Sequence, residues 1–495
     1  MGSIIIISGI LAIAQSILFW DKKPGISVFI FVFACLLYLI YVLNKNKKIE
    51  NKRALILVIP IVLLSSTYFI FNNTLFNVLN TVVITVLGII MCVYACKKRL
   101  TTPKFIRKCK DVFLGMLVHI SDLLDCFKTK RERKENESLE KVKKVVKALF
   151  ISLPIILVVL ALLMSADEIF QGIFDDVFIN IGELLTGEGI IKFLSRMSFV
   201  LITFLLCGGF IVNLVKSDTL FNGEDEETKK REIKFENLTI NMILTILNII
   251  YLIFSFIQIS NLFMHTSNNL NFDYASYARQ GFFQLMFVSF INFVILIIAN
   301  VNKQEKTKSQ KIYNKIMSLL IMVFTIIIII SAFYRMNLYI ETYGYTYLRI
   351  FVQFILITEI LISIPIMIKL LGAKIDLVKT SIVITTFMYL ILNFMNINNF
   401  IARENIDKYL ENKDDIHFDL NYLQKLGTDA IPQITRLLKI ENENIKERAE
   451  NYLLGQRNTL RIFTMSWQEY NISKKQAVDI LNELNLRSNT LTLDR

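Results

Sequence analysis

Residues 350–371 read IFVQFILITEILISIPIMIKLL, a stretch of apolar side chains in which only Glu359 and Lys369 carry charge. A helix needs about 17–25 predominantly apolar residues to cross the hydrocarbon core of a bilayer. Because this stretch has that length and composition, it predicts a transmembrane helix. Stretches of the same kind occupy residues 26–43, 148–164, 197–215 and 238–259.

About eleven such stretches follow one another between residues 4 and 395. Hydrophobic residues make up 54% of the chain and charged residues 20%, whereas soluble domains have about 45–50% and about 25%. The sequence therefore predicts an all-α, polytopic integral membrane bundle with a small helical domain outside the membrane. Its predicted parts are an N-terminal four-helix membrane segment, a basic cytoplasmic linker with an interfacial amphipathic helix, a seven-helix membrane core and an extracytoplasmic C-terminal helical domain, at residues 1–96, 97–147, 148–395 and 396–495.

The distribution of basic residues predicts the orientation, since short loops rich in Lys and Arg stay in the cytoplasm. Basic loops lie at residues 45–53, 97–147, 216–234, 303–315 and 369–379, and loops poor in basic residues lie at 72–74, 166–190, 261–277 and 334–348. This alternation predicts a protein of the bacterial cytoplasmic membrane with a cytoplasmic N-terminus and an extracytoplasmic C-terminus. The loops also explain the net charge of +13, which does not indicate nucleic-acid binding.

The sequence contains none of the common catalytic or cofactor motifs. Its six cysteines lie in predicted helices or basic loops, which argues against a disulfide framework, and its three histidines have no zinc-ligand spacing. There is no Ser-His-Asp order and no glycine loop of the phosphate-binding kind. We therefore predict no catalytic residue, no metal site and no cofactor.

Short segments of the chain carry a family resemblance. They are SAD at 165–167, YASYARQGFFQL at 274–285, RMNLYIETYGYTYLR at 335–349, NFIARENI at 399–406, DLNYLQKLGTDAIP at 419–432 and WQEYNISKKQA at 467–477. Over about residues 148–495 the chain resembles a bacterial membrane-protein family known as domain of unknown function 4153, with its sister 4173. Tyr345 stands where that family usually has Leu. The resemblance supports the predicted topology and the C-terminal helical domain. It does not indicate a biochemical activity, because the family has no agreed one.

Glu359 is the candidate site inside the membrane, where an ionisable side chain costs at least about 2.5–3.5 kcal/mol unless it is paired, protonated or hydrated. It could carry a proton or a cation. The alternative is a protonated Glu that is hydrogen-bonded to an interhelical amide such as Asn248 or Asn292 and has a purely structural role. Gln284 and Asn292 also predict a polar stripe along one helix, either a cavity wall or a set of interhelical hydrogen bonds.

Polar and aromatic side chains cluster at helix ends that face outward in this topology. Arg binds carboxylate or phosphate through its planar fork, so the cluster is a candidate site for an anionic headgroup or a sugar. The alternative is an aromatic belt with Arg residues at helix ends. The candidates are Arg335, Tyr339, Glu341, Tyr343 and Arg349, which are predicted in a loop, and Asp273, Tyr277 and Arg279.

The C-terminal segment offers residues for docking onto the membrane part rather than for chemistry. These residues are Arg403, Asn405, Asp419, Tyr422 and Asp429. Asp167 and Glu168 are weak candidates for a general acid or base, because two carboxylates without a positioned partner indicate little about catalysis. The alternative for this pair is a solvated helix start, where the helix dipole favours negative charge.

Three functions fit these observations. We favour a non-enzymatic envelope protein that acts as a sensor, regulator or scaffold through its extracytoplasmic face. The second is a transporter or lipid-handling protein that uses Glu359 and the polar stripe, and the third is a membrane glycosyltransferase-like enzyme that needs an essential acid such as Asp21 or Asp167. The expected partners are the lipid bilayer, anionic lipid headgroups and a membrane or regulatory protein, without nucleic acid.

Overall fold

The computed structural model describes residues 2–96, 102–125, 188–216, 237–264, 281–301, 307–411, 418–462 and 466–484. Within these ranges the regular elements are all helices, so the predicted all-α class is confirmed. The chain forms two compact units. Unit 1 comprises Met1–Phe69, Asn77–Glu226 and Met465–Asn471, and unit 2 comprises Ile70–Phe76, Glu227–Thr464 and Ile472–Arg495.

Unit 1 contains the helices of the N-terminal half of the chain. They are α1 (Gly2–Phe19), α2 (Ile26–Lys45), α3 (Val58–Ile70, after a 3-10 helix at Lys52–Leu57), α4 (Thr74–Cys96), α5 (Thr102–Val118), α6 (Ile120–Asp125) and α7 (Glu188–Lys216). The last residue of α3 and the first three of α4 belong to unit 2. Helix α7 packs against α1, α5 and α6. Small residues permit the close approach, since a Cβ atom at Gly209 would lie 2.4 Å from the carbonyl oxygen of Met116.

Unit 2 contains five long apolar helices in its central part. They are α8 (Asn237–Met264), α9 (Phe282–Val301), α10 (Lys308–Tyr343), α11 (Tyr347–Leu371) and α12 (Leu377–Phe394). Helix α10 packs against α8, α9 and α11, and α12 packs against α11. On α10 the fully buried residues Ile321, Ile328, Ala332 and Met336 recur at seven- and four-residue intervals, the spacing of one helix face.

Helix α10 is longer than the predicted membrane span. Its 36 residues correspond to about 54 Å at 1.5 Å per residue, whereas the hydrocarbon core is about 30 Å thick. Residues 334–343, which the sequence places in a loop, form the last turns of α10, and only residues 344–346 connect it to α11. The loop prediction is wrong because Met336 and Ile340 continue the buried apolar face of the helix.

The remaining helices of unit 2, which we call the tail, are shorter. They are α13 (Ile397–Glu411), α14 (Leu420–Gln424), α15 (Ile431–Ile434), α16 (Glu443–Ile462) and α17 (Ile472–Glu483), with 3-10 helices at Thr428–Ala430 and Thr435–Lys439. Buried tail residues such as Ile401 and Leu453 form one apolar cluster with Phe76, Ile350 and Leu392. The core of the tail therefore continues into the ends of α4, α11 and α12.

Nine helices among the described residues are long and apolar enough to cross a membrane. They are α2, Lys52–Ile70, α4, α7 from Ser195 onward, and α8 to α12. Helix α1 contributes a shorter apolar stretch, Ile4–Phe19, and the predicted span at 148–164 lies outside the described residues. Large apolar side chains such as Leu252 and Phe256 are exposed on these helices, as they are where helices face lipid. The protein is therefore a multi-pass integral membrane protein.

Helices α5 and α6 occupy the region of the predicted interfacial helix. Val112 and Leu123 are buried there, whereas Ile106, Phe113 and Val118 are exposed. An exposed apolar face next to polar residues suits a helix lying on a membrane surface. The membrane contact of this face and the division of the chain into four segments both stay predictions.

Candidate functional site

A buried carboxylate joins three parts of unit 2. Asp429 is only 2% exposed and accepts hydrogen bonds from the backbone N–H of Asn72, at 2.9 Å to Oδ1 and 3.1 Å to Oδ2, and from the hydroxyl of Ser473. Burial raises the pKa of this carboxyl, and the hydrogen bonds from Ser473 and Asn72 act in the opposite direction. Asn72, Thr428, Asp429 and Ser473 are called the Asp429 cluster below.

Further hydrogen bonds fix this cluster. Asn72 Nδ2 donates to Oγ1 of Thr428 at 2.8 Å, and Asn399 Nδ2 donates to the carbonyl oxygen of Asp429 at 3.2 Å. Gly427 allows the preceding turn, since its φ of 76° and ψ of −159° lie in a region that is essentially restricted to glycine. The cluster therefore binds the connection between α3 and α4 to two separate elements of the tail.

A second set of polar contacts surrounds Tyr347, the first residue of α11. Its hydroxyl donates to Asn398 Oδ1 and accepts from Asn73 Nδ2 at 2.8 Å, while its backbone N–H donates to the hydroxyl of Tyr422 at 3.0 Å. Asp419 accepts a hydrogen bond from the N–H of Tyr422 at 3.0 Å and thereby caps the start of α14. Two of the predicted docking residues, Asp419 and Tyr422, thus take part in these contacts.

The connection between α10 and α11 is bound by Asn405 of α13. Asn405 Oδ1 accepts from the N–H of Tyr345 at 2.7 Å, and its Nδ2 donates to the carbonyl oxygen of the same residue at 2.9 Å. Gly344 has a φ of 76° and a ψ of −176°, and a Cβ there would lie 2.4 Å from Asn405 Oδ1. The predicted docking residue Asn405 therefore contacts a connection that leaves no space for a side chain at residue 344.

The carbonyl groups at the end of α10 are bound by a lysine of the tail. Lys408 Nζ donates to the carbonyl oxygens of Glu341 at 2.6 Å and Thr342 at 3.0 Å. A cation is favourable there because the last carbonyl groups of a helix carry partial negative charge. Glu341 is a candidate site residue because of its carboxylate, but it takes part in this contact through its backbone carbonyl group.

Arg349 binds the same end of α10. Its Nη1 donates to the carbonyl oxygen of Tyr343 at 2.9 Å, and its guanidinium carbon lies 4.1 Å from the ring centre of Tyr339. Such stacking of Arg on an aromatic ring is a cation–π contact. Arg349, Tyr339 and Tyr343, three of the candidates for a headgroup site, thus contact one another.

The other predicted arginines lie elsewhere. Arg335 Nη2 donates to Gln258 Oε1 of α8 at 3.0 Å, and Arg403 forms an ion pair at 2.8 Å with the adjacent Glu404. Asp273, Tyr277, Arg279, Asp167 and Glu168 lie outside the described residues. Tail docking therefore involves Asn405, Tyr422 and Asp429 among the predicted residues, whereas Arg335 bonds a membrane helix and Arg403 bonds its own neighbour in the chain.

Glu359 lies between membrane helices and is 6% exposed. The hydroxyl of Ser289, on α9, donates to its Oε2 at 2.6 Å, whereas the amides expected as partners bond elsewhere. Asn248 donates to the carbonyl oxygen of Met317, and Asn292 donates to Thr325. Helices α9 and α11 are thus joined by a carboxyl and a hydroxyl group.

The predicted polar stripe on α9 is divided between two environments. Gln284 is exposed, and Asn292 is fully buried and accepts a hydrogen bond from the Tyr251 hydroxyl at 2.6 Å. Positions eight residues apart are about 80° apart around a helix with 3.6 residues per turn, which explains the difference. This pair therefore does not form one continuous stripe.

The sequence does not single out several residues of these contacts, namely Asn72, Asn73, Tyr347, Asn398 and Lys408. Composition gives a signal for two of them, because the adjacent residues Asn72 and Asn73 lie between apolar stretches and such a pair is typical of a turn. That signal places Asn72 and Asn73 in a connection and indicates no partner for them.

Comparison with known families gives a match to a domain of unknown function, DUF4153, over residues 58–437. This range is more than half of the 495-residue chain. The chain belongs to the DUF4153 family. The match to DUF4153 begins at α3, earlier than the resemblance that starts near residue 148, and it ends before Ser473 and the 467–477 segment. Comparison with curated proteins and with solved structures gave no significant match.

The described part of this DUF4153 protein contains no group of three or more His, Cys, Asp or Glu residues that could hold a metal ion. Its five described cysteines are free thiols. The Asp429 cluster buries its carboxylate and bonds it to the N–H of Asn72 and the hydroxyl of Ser473, which suits holding elements together. Chemistry on a substrate would instead require an accessible reactive group.

Proposed function

We propose that this DUF4153 protein is a non-enzymatic sensor, regulator or scaffold of the bacterial envelope, acting through its tail on the extracytoplasmic side. The observation that carries the proposal is the Asp429 cluster, which binds the tail to the connection between α3 and α4. Asn405 binds it to the connection between α10 and α11. Both connections are poor in basic residues and are predicted outside, so the tail is expected on that side too.

The tail is suited to transmit a change rather than to catalyse a reaction. Its apolar core includes Ile350 of α11 and Leu392 of α12, so a displacement of these helix ends moves residues on which the tail packs. The solvent side of α16 carries polar side chains, including the exposed Glu443, Asn444 and Glu447, which suit a partner protein. A signal could therefore pass between the membrane helices and a partner in either direction.

Cysteine labelling in intact cells tests the orientation on which the proposal depends. Asn444→Cys on α16 and Ser309→Cys on α10, both at exposed positions, are made separately in a background without the native cysteines. A membrane-impermeant thiol reagent is expected to label Cys at 444 and to spare Cys at 309. Ser473 is unsuitable because it is buried and donates to Asp429.

The two positions control for each other, since they are predicted on opposite sides of the membrane. Labelling at 309 without labelling at 444 would place the tail in the cytoplasm and would refute the extracytoplasmic proposal. Labelling of both positions only after permeabilisation would place both of them in the cytoplasm and would refute the extracytoplasmic proposal as well. A cysteine-free protein that reacts would identify background labelling.

Transport or lipid handling is a second candidate function, and Glu359 is the observation that favours it. Helices α8 and α9 contain no charged residue, α10 contains none between Lys315 and Arg335, and α12 contains only Lys379. An ionisable group among such helices is costly and often marks a proton or ion pathway. A proton or cation that exchanges at Glu359 would make the group a step on a path through the membrane, whereas a Glu that stays protonated beside Ser289 has only a structural role.

Proton flux into proteoliposomes tests this second candidate. Under an imposed pH gradient, Glu359→Gln is expected to abolish the flux reported by a trapped pH-sensitive dye, because the amide cannot exchange a proton. Gln353→Ala serves as the control, since Gln353 lies on the same helix and bonds Asn337 at 2.7 Å. Equal flux in the wild type and in Glu359→Gln would exclude Glu359 as the carrier.

A further inference from the structure

Two aromatic side chains between α16 and α17 are exposed. Trp467 and Tyr470 are 59% and 38% exposed, and they lie in a 3-10 helix, Trp467–Glu469, and at the residue that follows it. Among the described residues from 397 onward, no other large hydrophobic side chain is exposed. The described tail buries its apolar groups, whereas this pair, which belongs to unit 1, is exposed and is a candidate interaction surface.

The segment that carries them is bound to the start of a membrane span within unit 1. The N–H of Lys23 donates to Glu469 Oε1 at 2.7 Å, and the N–H of Ile26 donates to the carbonyl oxygen of Tyr470 at 3.2 Å. Ile26 is the first residue of α2 and of its span. The backbone of Tyr470 therefore lies at the level where α2 begins.

Close packing reinforces this position. A Cβ atom at Gly25 would lie 2.6 Å from the carbonyl carbon of Glu469, so only glycine permits the approach of the two backbones. The next residue, Asn471, donates from Nδ2 to the carbonyl oxygen of Tyr68, near the end of α3. The segment is thus bound to the ends of two spans through its consecutive residues Glu469, Tyr470 and Asn471.

The two exposed aromatic residues are three positions apart in the chain. Trp467 is the first residue of the 3-10 helix, and Tyr470 is the residue that follows it. Tryptophan and tyrosine prefer the boundary between membrane and water, because each has an apolar ring and a polar group. The exposed Lys22 nearby matches the phosphate groups found at the same level.

We infer that Trp467 and Tyr470 insert into the lipid interface at the start of α2, so that the segment between α16 and α17 contacts the bilayer directly. The occupant of this aromatic surface is lipid, at the boundary between headgroups and acyl chains. This inference goes beyond the proposed function, because it holds on whichever side of the membrane the tail lies.

Tryptophan fluorescence tests the inference, because the chain has only two tryptophans. In full-length Trp20→Phe, Trp467 is the only emitter. The protein is reconstituted in phosphatidylcholine vesicles that contain lipid brominated either near the glycerol end or near the methyl end of the acyl chains. Trp467 is expected to lose most of its emission with the first lipid and less with the second.

The reference is a protein with its single tryptophan at an exposed position of α16, Trp20→Phe/Trp467→Phe/Asn444→Trp. Water-soluble acrylamide is expected to quench the reference more strongly than Trp467. Equal quenching of both by acrylamide, with no effect of either brominated lipid, would overturn the inference. Stronger quenching by the deeper bromine, or protection of Trp467 from all quenchers, would overturn it too, because the partner would then be the bilayer centre or protein.

Discussion

Replacing Asp429 with alanine is expected to release the tail from the connection between α3 and α4 while the membrane helices stay folded. The change leaves the N–H of Asn72 and the hydroxyl of Ser473 without their buried acceptor. Hydrogen bonds to a charged group contribute about 1.5–3 kcal/mol each, so the loss is on the order of 3 kcal/mol or more. That corresponds to an increase of roughly 100-fold in the released population. Trypsin digestion in native membranes measures it as faster cleavage at Arg436 and Arg448.

The matched control is Asp479→Ala, which removes an exposed carboxylate from α17. Its cleavage rate is expected to equal that of the wild type. Asp429→Asn keeps an acceptor oxygen and loses the charge, so an intermediate rate is expected. If Asp429→Ala and Asp479→Ala were cleaved equally slowly, the Asp429 cluster would not be what holds the tail.

Replacing Gly344 with alanine is expected to lower the thermal stability of the purified protein strongly. The backbone of Gly344 lies in a region essentially restricted to glycine, and occupying it with another residue costs about 1–3 kcal/mol. The new Cβ would also lie 2.4 Å from Asn405 Oδ1. Asn405 cannot yield without breaking its two hydrogen bonds to Tyr345, which adds about 1–3 kcal/mol. Thermal unfolding in detergent, followed by gel filtration of the remaining soluble protein, measures the loss.

Gly372→Ala measures the cost of a positive φ at a site where the new Cβ meets no other atom. Gly372 also has a positive φ, 118°, but a Cβ there would meet no atom within 4 Å. This variant is therefore expected to lose clearly less stability than Gly344→Ala. Equal losses in the two variants would mean that Asn405 moves aside freely and does not bind the connection firmly.

The sequence predicts the membrane helices well, because a span needs only length and apolar composition. It misjudges residues 334–343 because several tyrosines and charged residues there resemble a loop. The buried positions Met336 and Ile340 continue the apolar face of α10, and the structure shows that tertiary packing decides the matter. A local count of polar residues cannot detect that packing.

The contacts of the tail are harder to predict, because their partners are far apart in the chain. Asp429 and Asn72 are separated by 357 residues, and an Asn in a short connection gives no indication of a distant carboxylate. The charge of Arg335 and Arg403 draws attention to them, yet their hydrogen bond and ion pair are made with Gln258 and Glu404. Asn405 and Tyr422 are recovered because they lie in conspicuous polar segments.

The binding of Glu469 to Lys23 has a consequence for how the protein is made. The two residues are 446 positions apart, so a ribosome adding about 5–20 residues per second needs about 20–90 s to reach the second after the first. During that interval the amide groups of Lys23 and Ile26 lack their final acceptors. A helical pair is thus completed by residues that are translated hundreds of positions after it. A nascent chain stalled before residue 469 would lack the acceptors for the N–H groups of Lys23 and Ile26. Chaperones and quality-control proteases could detect the unsatisfied start of α2.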